Sequence, residues 1–248
     1  MLNVVSHGEI AELNVERPPA NALNQDLLDM LLSEFRRVLD EGARGVVLSG
    51  QEGMFCAGID VPELLGQERS AIHSFWSALF EFSKALATSP VPVVAALAGH
   101  SPAGGAVLAA HCDYRIAAEG GFKIGFNEVQ VGLPLPSTII RVFQELVGVR
   151  IARQLGTRGQ LVEMEEARRI GLIDELVAPG QVTGRAVEWL RALLELPPVA
   201  MNRTRLAGKT NLIRALTEAC DVDQVTEDWF SPETQRAMRA LVDSLKKK

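Results

Sequence analysis

Pro92-Val93-Val94-Ala95-Ala96-Leu97-Ala98-Gly99-His100-Ser101-Pro102-Ala103-Gly104-Gly105 is the stretch whose reading decides the fold. Pro92 to Ala98 carries no polar side chain and is too short for a membrane span, so it reads as a strand buried on both faces. Gly99 to Gly105 is a run of small residues, read as a loop at the strand's end. A short helix is expected from there to His111, followed by a strand from Asp113 to Ala117. A strand that returns to a second strand through a helix implies a parallel pair, because parallel strands need a crossover.

Upstream, the same order recurs. Gly45 to Ser49 reads as a buried strand that ends in the glycine-bearing loop Gly50 to Gly58. A long helix follows, from about Ser70 to Ala87. Its Phe75, Trp76, Phe80 and Phe82 suit either a core or the lining of an apolar pocket. At the start of the chain, Ile10 to Val15 alternates like a strand and pairs with Leu2 to Val5 across a turn at His7-Gly8. Arg17 to Ala22 is a loop, because consecutive prolines fit neither a central strand nor a helix interior. Asn24 caps a helix running to about Leu39, with Leu27, Leu28, Leu31, Leu32 and Phe35 as its apolar stripe.

Downstream, Phe122 to Gly125 reads as a short strand and Phe126 to Pro136 as a loop. From Ser137 the pattern is helical, with one strand near Ile173 to Val177. Leu196-Pro197-Pro198 marks a junction. Ser231-Pro232-Glu233 starts the last helix, with Ser as N-cap and Pro as the first helical residue. The expected organisation is an α/β core over residues 1–195 and a helical region over 196–248.

Composition narrows the function classes. Of 248 residues, 47% are hydrophobic and 23% charged, which suits a globular chain with a substantial core. The net charge of −6 disfavours a nucleic-acid partner, which needs a basic face to neutralise phosphates. Cys56, Cys112 and Cys220 form no C-x-x-C and read as free thiols. Met1 to Val5 lacks a basic start and a long apolar run, so a cytoplasmic location with no membrane contact is the expectation. Disorder is expected only at Lys246-Lys247-Lys248.

Two chemistries are testable and weak. Gly99-His100-Ser101-Pro102-Ala103 is close to the G-x-S-x-G nucleophile elbow, in a strand-to-helix context that also fits. It lacks a base, because the sole histidine after Ser101 is His111, on the adjoining helix, and the fifth position is Ala103. His111-Cys112-Asp113 groups metal-ligating types, but neighbours in sequence point different ways, and no metal is expected there.

The two small-residue loops suggest more when taken together. Two backbone N–H groups aimed at one point make an oxyanion hole, and a helix beginning near Gly104 adds its positive end. Tight turns with no ligand use the same residues. Phe55-Cys56-Ala57-Gly58-Ile59-Asp60 resembles the F-x-A-G-x-D loop of the enoyl-CoA hydratase/isomerase (crotonase) family. Ala98 to Asp113 resembles that family's second signature, a small-residue loop and helix ending in Cys-Asp. Arg17-Pro18-Pro19-Ala20-Asn21-Ala22-Leu23 is similar to its first loop, and Glu166 through Val177 to its A-x-x-x-G-L-V-D-x-V segment. These four motifs, in family order, span nearly the whole chain.

The resemblance implies a spiral of strand-strand-helix units, with C-terminal helices that build a homotrimer or a dimer of trimers. It implies an acyl-CoA substrate and no cofactor apart from the coenzyme A within that substrate. The thioester oxygen is expected between the N–H groups of Ala57 and Gly104. Ala20, Ala22, Cys56, Gly58, Ile59 and Asp60 are expected along the substrate. Arg203, Arg205 and Lys209 are candidates for the CoA phosphates, although a solvated helix face is the preferred reading of them.

Family hydratases use two glutamates. At the first position this chain has Val107; at the second it has Glu128. One carboxylate suits migration of a double bond from C3 to C2, because a single base serves both carbons. Glu128 is therefore the expected base, its pKa raised by an apolar pocket, although a loop carboxylate is otherwise commonly just solvated. The expected reaction is isomerisation of 3-enoyl-CoA to trans-2-enoyl-CoA in fatty-acid β-oxidation. A hydratase, with Glu63 as the nearest second carboxylate, is the first alternative; a thioesterase or dienoyl-CoA isomerase is another. A non-catalytic acyl-CoA binder is an alternative from a different class.

Overall fold

The computed structural model describes residues 1–218 and 221–246. Cys220, Lys247 and Lys248 lie outside the described residues. Strands β1 (Leu2–Ser6) and β2 (Ile10–Val15) form an antiparallel hairpin. Helix α1 (Gln25–Asp40) follows, capped by the Asn24 side chain, which accepts the Leu27 N–H at 3.0 Å. Next come β3 (Gly45–Gly50), β4 (Gly53–Met54), the short α2 (Val61–Leu64), α3 (Arg69–Ala87), β5 (Val93–Leu97), β6 (Gly99–Pro102) and α4 (Gly104–His111). Then β7 (Tyr114–Ala118) and β8 (Lys123–Gly125) lead to a 3-10 turn at Glu128–Val131, α5 (Ser137–Val147) and α6 (Val149–Arg158). The chain continues through β9 (Val162–Glu163), α7 (Met164–Ile170), β10 (Glu175–Val177) and α8 (Val182–Leu194). Four helices complete it: α9 (Pro198–Gly208), α10 (Thr210–Glu218), α11 (Val222–Trp229) and α12 (Pro232–Leu245).

Two sheets organise these elements. The larger has the order β1-β2-β3-β5-β7-β10, parallel except for the β1 hairpin. The smaller has the order β4-β6-β8-β9. Three successive units each send one strand to the large sheet and the next to the small sheet before a helix returns: β3-β4, β5-β6 and β7-β8. This is the strand-strand-helix spiral expected from the resemblance.

The central strands of the large sheet are buried on both faces, which explains why they lack polar alternation. Leu48, Val93, Ala95 and Leu97 face the main core with α1 and α3, whereas Val47, Val94 and Ala96 face Val182, Ala186, Val187 and Leu190 of α8. Leu212, Leu216, Val225, Trp229 and Met238 of the last helices belong to the same main core as Leu13 and Phe35. Helices α10, α11 and α12 therefore pack into the body of the molecule.

Strand β6 departs from the sequence reading, which made Gly99 to Gly105 a loop. The strand is visible only through its neighbour: a β-carbon on Gly99 would lie 1.9 Å from the Gly53 carbonyl carbon. Close backbone approach, not apolar patterning, puts glycine there. The expected loop 126–136 also holds the 3-10 turn. Lys246, expected to be disordered, closes α12 as its C-cap.

Candidate active site

Three loops meet at one end of the spiral. Asn21 ties the first to the second: its side chain is fully buried and donates to the carbonyls of Val15, Met54 and Phe55 at 2.9, 3.2 and 3.1 Å. Leu23 then forms a parallel bridge with Ile59, donating to Gly58 O at 2.7 Å and accepting from Asp60 N–H at 2.8 Å. In such a bridge the central residue's own amide points away from its partner strand. The Ile59 N–H thus points away from Leu23, and no acceptor for it is found among the described residues.

The third loop is Pro102-Ala103-Gly104. Ala103 has φ 47 and ψ −118, a conformation that L-residues rarely adopt, and its N–H donates to Gly125 O at 2.8 Å. This turn starts α4 at Gly104, whose N–H, as the first of a helix, has no intrahelical acceptor. The loops touch through their glycines. A β-carbon on Gly58 would come 2.9 Å from the Ala103 β-carbon and 3.2 Å from Gly104 N; one on Gly104 would come 3.1 Å from Gly58 Cα. Ile59 and Gly104, both with free amides, line one cavity.

Ala57 does not supply the donor expected of it. Its N–H is spent on Ala20 O at 3.0 Å, so the second donor is Ile59, two residues on. That shift is the signal the sequence reading missed: the motif names the loop, but hydrogen-bond accounting selects the amide.

A groove of about 990 Å³ opens beside the loops. Ala20, Ala22, Ala57, Ile59 and Asp60 line it, as do Arg17, Asn127, Gln130 and, from α12, Ala237, Ala240, Leu241 and Leu245. Cys56 and Gly58 lie behind this lining; Cys56 is buried, and desolvation pushes its thiol up to about 12. The contribution of α12 was not anticipated. Thr234 of that helix donates to Gly132 O at 2.5 Å, just after the 3-10 turn.

At its inner end the groove meets a smaller cavity, and Ile59, Ala103, Glu128 and Leu133 line both. Val107, 3% exposed, is part of the cavity wall, as are Trp76 and Phe80; Phe75 and Phe82 are core. Among the described residues, Glu128 is the one ionisable side chain in that wall. Its Oε2 is buried without a hydrogen-bond partner among the described residues, and desolvation raises its pKa from 4.5 to about 7.

The other candidates are committed elsewhere. Glu63 accepts from Arg17 at 2.7 Å and from Asn24 at 2.9 and 3.0 Å, and it lines neither groove nor cavity. Arg205 and Lys209 both pair with Asp113, at 3.0 and 2.9 Å, and neither they nor the exposed Arg203 line the groove. These three are therefore not placed to meet a ligand's phosphates in the groove. Ser101 is fully buried and donates to Gly99 O, while His111 meets Val107 O at 2.6 Å on its own helix, so no nucleophile–base pair forms.

The family model for enoyl-CoA hydratase/isomerase matches residues 6–247. The chain belongs to that family. Among family members, the rat mitochondrial enoyl-CoA delta isomerase 1 is 30% identical over 246 residues, covering 96% of this chain and 84% of its own length. A protein of Mycobacterium avium (strain 104) named as a probable enoyl-CoA hydratase is 33% identical over 205 residues, covering 80% of this chain and 79% of its own length. The crystal structure of human mitochondrial delta3-delta2-enoyl-CoA isomerase superposes with a TM-score of 0.93 at 28% identity, covering 99% of this chain and 98% of that one. Membership makes the chain an enoyl-CoA hydratase/isomerase enzyme with the crotonase fold. No described helix is long and apolar enough to cross a membrane.

Proposed function

We propose that this enzyme shifts the double bond of a 3-enoyl-CoA to the trans-2 position, with Glu128 as its single acid–base group. One observation carries the reading: in the cavity that Ile59 and Gly104 line, Glu128 is the sole ionisable residue among the described residues, and Val107 occupies the position where family hydratases place another carboxylate. The names of the rat and human relatives agree with it.

The thioester oxygen lies between the N–H groups of Ile59 and Gly104. Glu128, ionised, removes a proton from C2. The electron pair spreads over C2, C4 and the thioester oxygen as a dienolate, and the two amides hold the oxygen's negative charge. Each such donor stabilises the transition state by about 3–4 kcal/mol. The N-terminus of α4 adds to this field. The protonated Glu128 then delivers its proton to C4, the C2–C3 double bond forms, and the carboxylate is restored. A pKa near 7 suits both halves of this cycle.

Hydration is the second reading, because relatives named as hydratases also match. It requires a second group to orient water. Val107 cannot supply one, and Glu63 is held by Arg17 and Asn24. The deciding experiment follows ultraviolet absorbance of 3-hexenoyl-CoA and, separately, trans-2-hexenoyl-CoA. Conjugation of the first and persistence of the second, with the first lost in Glu128→Gln, is the expected result. Isomerisation that survives Glu128→Gln, or consumption of the 2-enoyl thioester by wild type, would overturn the proposal. A homotrimer or dimer of trimers and a role in fatty-acid β-oxidation are part of the same proposal.

A further inference from the structure

The groove and the inner cavity meet at Ile59, Ala103, Glu128 and Leu133. Under the proposed function this junction holds the reacting carbons, with the thioester oxygen against Ile59 and Gly104 and the CoA moiety in the groove, which leaves the rest of the inner cavity for the acyl tail. That space is about 30 Å³. About 10–15 Å³ accommodates one water, so there is room for about two or three heavy atoms.

Trp76, Leu79 and Phe80 of α3 belong to the part of the cavity wall that the groove does not share. Trp76 is 4% exposed and is packed between other rings: Phe75 at 5.4 Å, Phe80 at 6.3 Å and Trp229 at 6.2 Å between centroids. Trp229, from α11, is itself completely buried. Trp76 therefore cannot swing aside without unpacking three rings in a close-packed interior.

We propose that Trp76, backed by Trp229, is a specificity-determining residue that restricts the enzyme to short acyl chains of about six carbons. The inference rests on the proposed function for the position of the reacting carbons, but the wall itself does not depend on which reaction occurs. An unobstructed apolar pocket would tighten binding by about fourfold for each methylene buried. A closed one leaves additional methylenes outside.

The test has a binding arm and a turnover arm. Calorimetry of hexanoyl-CoA and dodecanoyl-CoA, neither of which can isomerise, measures chain-length preference directly. Wild type is expected to bind hexanoyl-CoA at least as tightly as dodecanoyl-CoA, and to show kcat/KM at least tenfold higher for 3-hexenoyl-CoA than for 3-dodecenoyl-CoA. Trp76→Leu and, independently, Leu79→Ala should each bring the two lengths within about threefold. Leu79→Ala keeps the test sharp if Trp76→Leu does not fold. Dodecanoyl-CoA binding tenfold tighter than hexanoyl-CoA to wild type would overturn the proposal, as would a length limit that neither variant moves. A length limit in binding that both variants relax, with no turnover of any 3-enoyl-CoA, would uphold the wall and remove the isomerase reading alone.

Discussion

Replacing Glu128 with Gln should make the folded protein more stable, and only at high pH. The carboxyl sits at about 7 instead of 4.5 because burial strips water from its charged form. Between those values the folded protein keeps a proton that the unfolded chain has released. Wild-type stability therefore falls as pH rises through that window. Above it the whole penalty is present. At 1.36 kcal/mol per pKa unit, the gap between 4.5 and about 7 amounts to about 3 kcal/mol. Solvent reaching Glu128 through the groove reduces this to on the order of 2–3 kcal/mol. Glutamine matches the shape and carries no charge, so it escapes the penalty. Urea unfolding of both proteins at pH 4.5 and pH 8.5 reads the effect. The two should be nearly equal at the lower pH, with the variant ahead by about 2–3 kcal/mol at the higher one, or about 5–10 °C in Tm. Equal pH dependence in the two proteins would refute the argument, because it would mean that the carboxyl is not desolvated in the fold.

The same carboxyl must be ionised to accept a proton, so kcat/KM for a 3-enoyl-CoA should rise between pH 6 and 8 with its midpoint near 7; a flat profile from pH 5 upward would contradict the raised pKa. Gly104→Ala forces a β-carbon to 2.9 Å from Leu23 Cδ1 and 3.1 Å from Gly58 Cα, which drives the two amide-bearing loops apart. Steady-state kinetics should show kcat lowered by about 10²–10³-fold with the fold intact, the scale of losing one oxyanion donor. Ala103→Gly relieves a backbone held at φ 47, and melting should show Tm raised by about 2–4 °C, for a net gain of about 1 kcal/mol once glycine's extra chain entropy is subtracted. An unchanged or lower Tm would show that the turn stores no strain.

Much of this fold is legible because the central strands Gly45–Gly50 and Val93–Leu97 are buried on both sides, so their apolar runs stand out from their surroundings. Asn24 and Ser231 announce their helices through caps that the structure contains. The second sheet was hidden, because strands such as Gly53–Met54 and Gly99–Pro102 are short and are placed by backbone proximity that leaves no periodic pattern. In the site, Val107 and Glu128 were readable as a pair because a residue's identity decides whether it can carry a proton. The second amide was not, since every residue but proline has an N–H, and only the accounting of partners separates Ala57 from Ile59. Arg205 and Lys209 attracted notice by charge alone, and their pairing with Asp113 involves residues distant in sequence. The part of α12 in the groove depends on where a helix comes to rest, which no local pattern encodes.

That last helix has a double hold on the site. It walls the groove with Ala237 and Leu241, and through Thr234 it grips Gly132, at the end of the turn that begins with Glu128. A β-carbon on Gly132 would lie 3.2 Å from both Thr234 Cα and the Ala237 β-carbon, so the bareness of that glycine is what lets the two segments lie this close. Entrance and base are thus mechanically joined. Anything that pries α12 loose, whether a protease cut before Pro232 or a bulky fusion placed after Leu245, would widen the doorway and unseat the proton carrier in a single motion.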